Sequence, residues 1–406
     1  MRAADRKAVV VGGGIGGLAA AIALRHAGWA VEVYEQAPAL REVGAGLAIT
    51  TNAMRLLFEL GLTHLPQRGE VVTQAEGCAW DGEVLADFPL VEMAQRHGAP
   101  TVVIHRAALH SALREFFGEE GLHVGARLKD FIQDGDQVVA RFEDGCEARG
   151  ALLVGADGLK SRVRAQLHGE TPPRYAGYPV WRGITPPFSH EGIPVGMLRE
   201  TQGRGARFGM GYIAEGRVYW WAAVDGPAGQ AVPGGDKAYL EEVFRTAHAP
   251  IPQLIAATDA ADILRSDTYD RLPLEQWGEG RVTLLGDAAH PMTPNLGQGA
   301  NSAIEDAYVL AMALSKAEDV PTALRAYEAL RKPRTAMLQR DSWAFGAIGH
   351  WVNPAAVWLR DGLMKWAPRR FVLSQFNRVW GWEPPPGGVA RQVSRRAGPP
   401  TPQAAR

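Results

Sequence analysis

Apolar residues along the chain form short unbroken runs near the N-terminus and around residues 151 and 282, and alternating or helically spaced sets elsewhere. The unbroken runs at 8–11 (AVVV), 151–154 (ALLV) and 282–285 (VTLL) predict strands buried on both faces of a parallel sheet. The first run leads into six residues, GGGIGG at 12–17, then an alanine-rich helical stretch, then VEVYE at 31–35, which together make a βαβ unit. In the middle of the chain, aromatic-rich runs at 207–213 and 217–224 flank Ala214, Glu215 and Gly216, which predicts a β-hairpin. With residues 180–184 this hairpin predicts a mostly antiparallel sheet over about 175–271, with Trp220 and Trp221 read as core. After Ala307 the pattern is helical to Lys332, where Pro333 is expected to interrupt it. Trp343, Trp351, Trp358 and Trp366 then recur on one helical surface, and Gly346, Gly349 and Pro354 divide that region into two shorter helices. They are read as a bundle on the sheet domain, with a subunit contact or a greasy substrate entrance as the alternatives.

Bulk properties narrow the class. The 406 residues are 46% hydrophobic with a formal net charge of -1, enough for a large core in two domains and no basis for binding nucleic acid. Cys78 and Cys146 are the two cysteines, which supports neither a disulfide framework nor a metal site. No signal peptide or transmembrane run is evident, so a cytoplasmic protein, monomeric or homodimeric, is the expectation.

The βαβ unit carries a dinucleotide fingerprint in its required context. Gly12 permits a tight turn, Gly14 lets backbone approach a pyrophosphate, and Gly16 or Gly17 lets helix and strand pack closely, with Ile15 at the helix start. Glu35 ends the second strand, where a carboxylate accepts bonds from ribose hydroxyls; Gln36 follows, so no arginine here favours a 2'-phosphate. This fingerprint serves NAD and FAD equally.

A second stretch separates the two. Residues 286–307, GDAAHPMTPNLGQGANSAIEDA, follow a buried strand with Gly286 and Asp287, a loop rich in proline and glycine, and a helix start at which Ser302 and Glu305 form a candidate capping box. A strand that hands over an acid, a glycine-rich turn and a helix N-terminus gathers hydroxyl-binding and anion-stabilising groups at one spot. FAD is long enough to need such a group on its ribityl chain and another at its pyrimidine ring.

Taken with GADGLKSRVR at 155–164, these motifs resemble, over residues 7–340, the class A (group A) flavoprotein monooxygenases with the p-hydroxybenzoate hydroxylase-like fold. Within that family the last motif is most similar to FAD-dependent urate hydroxylase, zeaxanthin epoxidase and salicylate hydroxylase members. The resemblance implies an α/β fold with a Rossmann-like FAD-binding domain at 1–170 and 272–335. It further implies an antiparallel β-sheet substrate domain at 171–271, a C-terminal helical segment at 336–383 and a disordered tail at 384–406.

The resemblance also assigns roles. Arg41 lies near the FAD ribose, Arg106 opens a helix at the phosphate or ribityl region, Leu128 gives a backbone contact to adenine, and Asp157 sits between the pyrophosphate and the nicotinamide route, with Arg162 or Arg164 toward its phosphates. Gly286 and Asp287 meet the ribityl chain; Gly297, Gln298, Gly299, Ala300 and Asn301 face the flavin ring, in a loop fixed by Pro294. Arg207 and Tyr219 match substrate-binding positions, the arginine holding an oxyanion and the tyrosine facing the flavin; with Pro294 they are the candidate catalytic residues. His290 joins Arg207 and Tyr219 as a candidate base by position.

The implied activity is NAD(P)H-driven oxygenation of an aromatic or heteroaromatic small molecule by O2 through a flavin hydroperoxide, with FAD as cofactor and NADH or NADPH as co-substrate. Two alternatives stay open: epoxidation or hydroxylation of a lipophilic natural-product scaffold, and a flavin oxidase or reductase without oxygen insertion.

Overall fold

In a computed structural model the chain is described over residues 6–39 and 45–386. Arg41 and most of the tail lie outside those residues. The apolar N-terminal strand Lys7–Val11 sits at the centre of a five-stranded parallel sheet. Its neighbours are Leu152–Gly155 on one side and Ala30–Glu35 on the other, with Val282–Leu284 and Leu122–Val124 at the edges. Val11 pairs with Gly155 and Tyr34, and Gly155 with Leu284, so the carboxyl ends of the strands open onto one crevice. A crevice at that end is where open parallel sheets bind ligands.

Two helices cover one side of this sheet, Ile15–His26 and Gly299–Lys316, and they pack on each other. Gly16 is what lets them touch: a Cβ there would stand 3.0 Å from Leu285 and 3.1 Å from Ala303. Gly17 faces inward, where a Cβ would fall 1.9 Å from the Gly12 carbonyl oxygen. The two glycines thus divide helix–helix and helix–strand contact between them.

The second sheet has seven strands, mostly antiparallel, with the hairpin Ala206–Tyr212 and Arg217–Val224 near its centre. It takes Met197–Gln202 next to the hairpin and then, in parallel, Gln74–Ala79 from the N-terminal part of the chain, with Val84–Phe88 as the far edge. Alternation sorts its side chains onto two faces. Trp181, Phe208, Met210 and Trp220 point into a core closed by Phe244, Leu254 and Ile255, separate from that of the parallel sheet. Trp220 is completely buried there and donates to Thr258 Oγ1 at 2.8 Å. Trp221, read with it as core, stands on the opposite face and is half-buried, because neighbours along a strand point to opposite sides.

Two local expectations are corrected. The helix Val320–Gly349 runs straight through Pro333 for 30 residues. Burial of Arg331, Arg334, Thr335, Leu338 and Gln339 along this helix holds it against a proline penalty of about 3 kcal/mol. The capping box does not form either. The helix begins at Gly299 with Gln298 as its N-cap, Ser302 is buried inside it, and Glu305 bonds elsewhere. The division expected around Gly349 and Pro354 does occur: the long helix ends at Gly349 and the next begins at Pro354, giving Pro354–Lys365 and then Arg369–Trp380.

Candidate functional site

The crevice at the carboxyl ends of the parallel strands collects the fingerprint residues. Gly12 has φ +111, and a Cβ on it would fall 2.3 Å from the Ala156 carbonyl oxygen, so only glycine fits. Glu35 accepts from the Gly13 N–H and the Ala37 N–H, both at 2.8 Å, which fixes the carboxylate beside the glycine turn. Gly14 is different: its φ is an ordinary -73, yet a Cβ would meet nothing within 4 Å. The backbone at the start of the first helix borders open space, as an anion site at a helix N-terminus requires.

The same openness recurs across the crevice. A Cβ on Gly297 would meet nothing within 4 Å, and one on Gly299 only Asp287 Oδ1 at 4.0 Å. Asp287 is solvent-accessible yet surrounded by protein, as befits a side chain lining a deep recess, and burial pushes its carboxyl pKa up against the pull of His290 and Arg106. The Arg106 guanidinium, on the first residue of the helix Arg106–Phe117, therefore acts on the same recess. An open cradle bounded by Gly14, Asp287, Arg106, Gly297 and Gly299 fits an elongated dinucleotide with a polyol middle. Ile15 is buried at the start of the first helix, and Gln36 is exposed after Glu35.

The side chains of Gln298 and Asn301 turn inward. Gln298 donates to Thr50 Oγ1 and accepts from Asn52, both at 3.0 Å. Asn301 accepts from the Thr50 N–H and donates to the carbonyls of Ala48 and Gly297. They clamp the glycine loop, leaving backbone N–H groups near Gly299 and Ala300 at the recess. Thr50 and Asn52, which sequence reasoning missed, are the other half of that clamp.

Beneath the loop lies a buried cluster of charges. Asp306 accepts from the Gly286 N–H at 3.0 Å, from Arg331 Nε at 2.7 Å, and faces His290 Nε2 at 2.5 Å. Burial pushes its carboxyl up, but His290 and Arg331 outweigh that and bring it down to about 2. Glu305 takes both Arg331 and Arg334. By holding Gly286, whose φ is +61, Asp306 sets the turn that aims Asp287. His290 is thereby engaged beneath the loop. Two adjacent acids in an otherwise apolar helix were a signal of this pairing, since buried charges need partners.

Asp157 and Leu128 are built into the framework. The Asp157 carboxylate accepts from Ser161 Oγ and from the Arg162 N–H at 2.7 Å, capping the helix Arg162–His168, while its backbone N lies 2.9 Å from where a Gly12 Cβ would stand. Leu128 is buried, near Ala126, whose N–H donates to the Glu35 carbonyl.

The inward face of the seven-stranded sheet roofs the crevice. Tyr219 packs so closely on Gly46 that a Cβ there would stand 2.4 Å from its ring. Its phenol is hydrogen-bonded to Arg182, and burial raises its pKa against the pull of that guanidinium. Trp221 occupies the space above Gly209, where a Cβ would be 2.2 Å from the indole. Arg207 is fully buried, and its charge is spent locally: Nε donates to Glu200 at 3.0 Å, Nη2 also donates to Glu200, and Nη1 donates to Asn295 at 2.6 Å. Asn295 also accepts from Tyr178 at 3.0 Å and sits in the turn Pro294–Leu296, so Arg207 and Pro294 meet through it. Glu200, Tyr178 and Arg182 are site residues that sequence reasoning left without a role. Among the described residues, no cluster of acids, histidines and cysteines could hold a metal ion.

Comparison with known proteins agrees with this geometry. Residues 5–342 match the family described as FAD binding domain. The chain is 43% identical over 358 residues to the aurachin C monooxygenase/isomerase of Stigmatella aurantiaca, covering 88% of this chain and 93% of that protein. It is 35% identical over 332 residues to the FAD-dependent urate hydroxylase of Klebsiella pneumoniae, covering 81% and 86%. Among solved structures, Klebsiella pneumoniae HpxO complexed with FAD and uric acid superposes with a TM-score of 0.86 at 31% identity, covering 92% of this chain and 96% of that one.

Proposed function

The chain belongs to the FAD-binding-domain family and is a group A flavoprotein monooxygenase; from that premise we propose that it oxygenates a neutral aromatic or heteroaromatic molecule with an apolar body, using NADH or NADPH. The observation that carries the substrate class is the Arg207–Glu200 pair. An arginine already neutralised by a carboxylate offers a small anion little net attraction. Around it the inward sheet face presents Trp221, Tyr219, Ile184 and Leu198, which suit a flat apolar ring.

In this reading the backbone of Gly12, Gly14 and Gly16 and the N-terminus of the first helix hold the FAD pyrophosphate, and Glu35 the ribose. Asp287 and Arg106 take the ribityl region, and the loop from Gly297 to Asn301 takes the flavin ring. When bound, FAD accepts electrons from NAD(P)H and activates dioxygen. The protein's own contribution is to exclude water and to fix the acceptor. Trp221 and Tyr219 close the roof, and Gly297 and Gly299 leave room below it. Tyr219 is a neutral phenol at neutral pH, as an ordinary tyrosine is, and burial raises its pKa further. It can therefore donate to, or accept from, an oxygen on the acceptor while Arg182 fixes its orientation.

Holoenzyme should consume NAD(P)H at least tenfold faster with neutral alkylated bicyclic heteroaromatics than with urate, and Glu200→Gln should shift the preference toward the anion. Strong stimulation of the unaltered enzyme by urate would overturn the substrate reading.

A second reading, a small anionic purine, draws on the similarity to proteins named urate hydroxylase. It requires Glu200 to release Arg207 when the substrate enters.

A further inference from the structure

The helix Arg106–Phe117 brings two side chains to the cofactor crevice. Arg106, its first residue, acts on the recess of Asp287. One turn further on, His110 is half-buried on the same face, because residues four apart on a helix lie one above the other. Its Nε2 stands 2.7 Å from the carbonyl oxygen of Gly13, the middle residue of the glycine run 12–14. A carbonyl only accepts, so Nε2 carries the hydrogen and the imidazole is the donor.

Gly13 is therefore held from two sides. Its N–H donates to Glu35 Oε2 at 2.8 Å, and its carbonyl accepts from His110. The Gly12 N–H in turn donates to the Tyr34 carbonyl at 2.8 Å. Three successive glycines have more backbone freedom to lose than any other run of the same length, so a turn that must present its amides in one arrangement depends on such outside bonds. The peptide unit is planar and trans, and fixing the Gly13 carbonyl also fixes the Gly14 N–H, which points the opposite way. Gly14 is the N-cap of the helix Ile15–His26 and borders the open space of the crevice.

His110 has a firm base. Arg25, in the last turn of the helix Ile15–His26, donates to the Phe117 carbonyl at the far end of the helix that carries His110, and its guanidinium lies 3.6 Å from the centroid of the Phe117 ring. Leu109 and Leu113, on either side of His110 in the sequence, are completely buried in the core of the parallel-sheet domain. The two helices are thus tied to each other near both ends of Arg106–Phe117.

We propose that His110 is a positioning residue for FAD, which rests on the placement of the pyrophosphate at Gly14 given above. By donating to the Gly13 carbonyl, it preorganises the amide between Gly13 and Gly14 for the pyrophosphate without touching the cofactor itself. Preorganisation removes ordering that binding would otherwise have to supply, so the bond acts on affinity through the loop. Another N–H donor of similar reach can replace the imidazole. Glutamine is one, and it is favourable in a helix.

The test is fluorescence titration of the deflavinated full-length protein with FAD, followed by phosphorus NMR of the saturated complex. His110→Ala should weaken FAD binding by about tenfold, the size of one well-made hydrogen bond, and should displace the pyrophosphate resonances. His110→Gln should return both affinity and resonances toward those of the wild type. Wild-type affinity in His110→Ala, weakening that His110→Gln shares in full, or weakening with the resonances unmoved would overturn the proposal. Gly14→Ala separates the proposal from the placement beneath it. Loss of FAD in Gly14→Ala with full affinity in His110→Ala removes the positioning role and keeps the placement, whereas full affinity in both variants removes the two together.

Discussion

At Gly14 and Asp287, two single residues distinguish space kept for a ligand from space filled by the fold. An alanine at Gly14 adds a methyl that touches no protein atom, at an ordinary backbone angle. Gly14→Ala should therefore leave apo stability unchanged or raise it by about 0.5 kcal/mol, since glycine loses more backbone entropy on folding. FAD affinity should nevertheless fall by tenfold or more if, as proposed, the backbone at Gly14 meets the pyrophosphate where the methyl would stand. Asp287→Ala should likewise release flavin while keeping the thermal midpoint of the apoprotein. Unchanged flavin content by absorbance in either variant would contradict the placement of the cofactor. Legibility differed sharply among such residues. The placement of Gly12, Glu35 and Asp287 at the crevice was readable because it depends on local sequence spacing. The pairing of Arg207 with Glu200 was not, because it arises from the register Gln202↔Arg207 between two strands, which local spacing does not encode. Trp221 was misplaced with Trp220 for a related reason: a sequence run shows that two aromatics are apolar, and only the sheet says which face each takes.

Between elements, the crevice depends on two helices holding each other. The helix from Gly299 supplies Glu305 and Asp306, and the long helix behind it answers with Arg331 and Arg334. Removing one partner from such a buried set leaves an unpaired charge, at a cost of about 3 kcal/mol or more. The pH dependence follows from Asp306, whose folded pKa is depressed to about 2 by His290 and Arg331 acting against burial. A depressed carboxyl contributes stability that is present above its unfolded pKa near 4 and lost as pH falls toward 2, on the order of 2 kcal/mol. Denaturant unfolding of the wild type should therefore weaken across pH 4 to 2. Asp306→Asn should be weaker at neutral pH, should flatten that slope, and should lose FAD faster because Gly286 is held less firmly. A wild-type slope that Asp306→Asn leaves intact would contradict this. The same helix pair shows why Pro333 misled: its penalty is a local quantity, and the packing that outweighs it joins segments far apart in the chain.

Across the whole molecule, a parallel sheet supplies the cofactor crevice and an antiparallel sheet supplies its roof. The order of motifs in the chain announced the first sheet and the family. The roof was announced as a mostly antiparallel sheet within 175–271, but its extension by Gln74–Ala79 was not, because the parallel pairing of that strand with Met197–Gln202 joins segments more than a hundred residues apart. The exposed tryptophans of the C-terminal helices were visible in the sequence as a periodic set, but which of them face solvent depends on Arg360 and Met364 anchoring the other side. The proposed function requires above all that the crevice hold FAD and direct one atom of dioxygen into an aromatic acceptor under the roof. Turnover of the best-stimulating neutral heteroaromatic under 18O2, followed by mass spectrometry of the product, tests it directly. The expected product carries one 18O atom and forms in step with NAD(P)H consumption. A product without the label, or NAD(P)H consumption that yields only hydrogen peroxide for every acceptor, would contradict it.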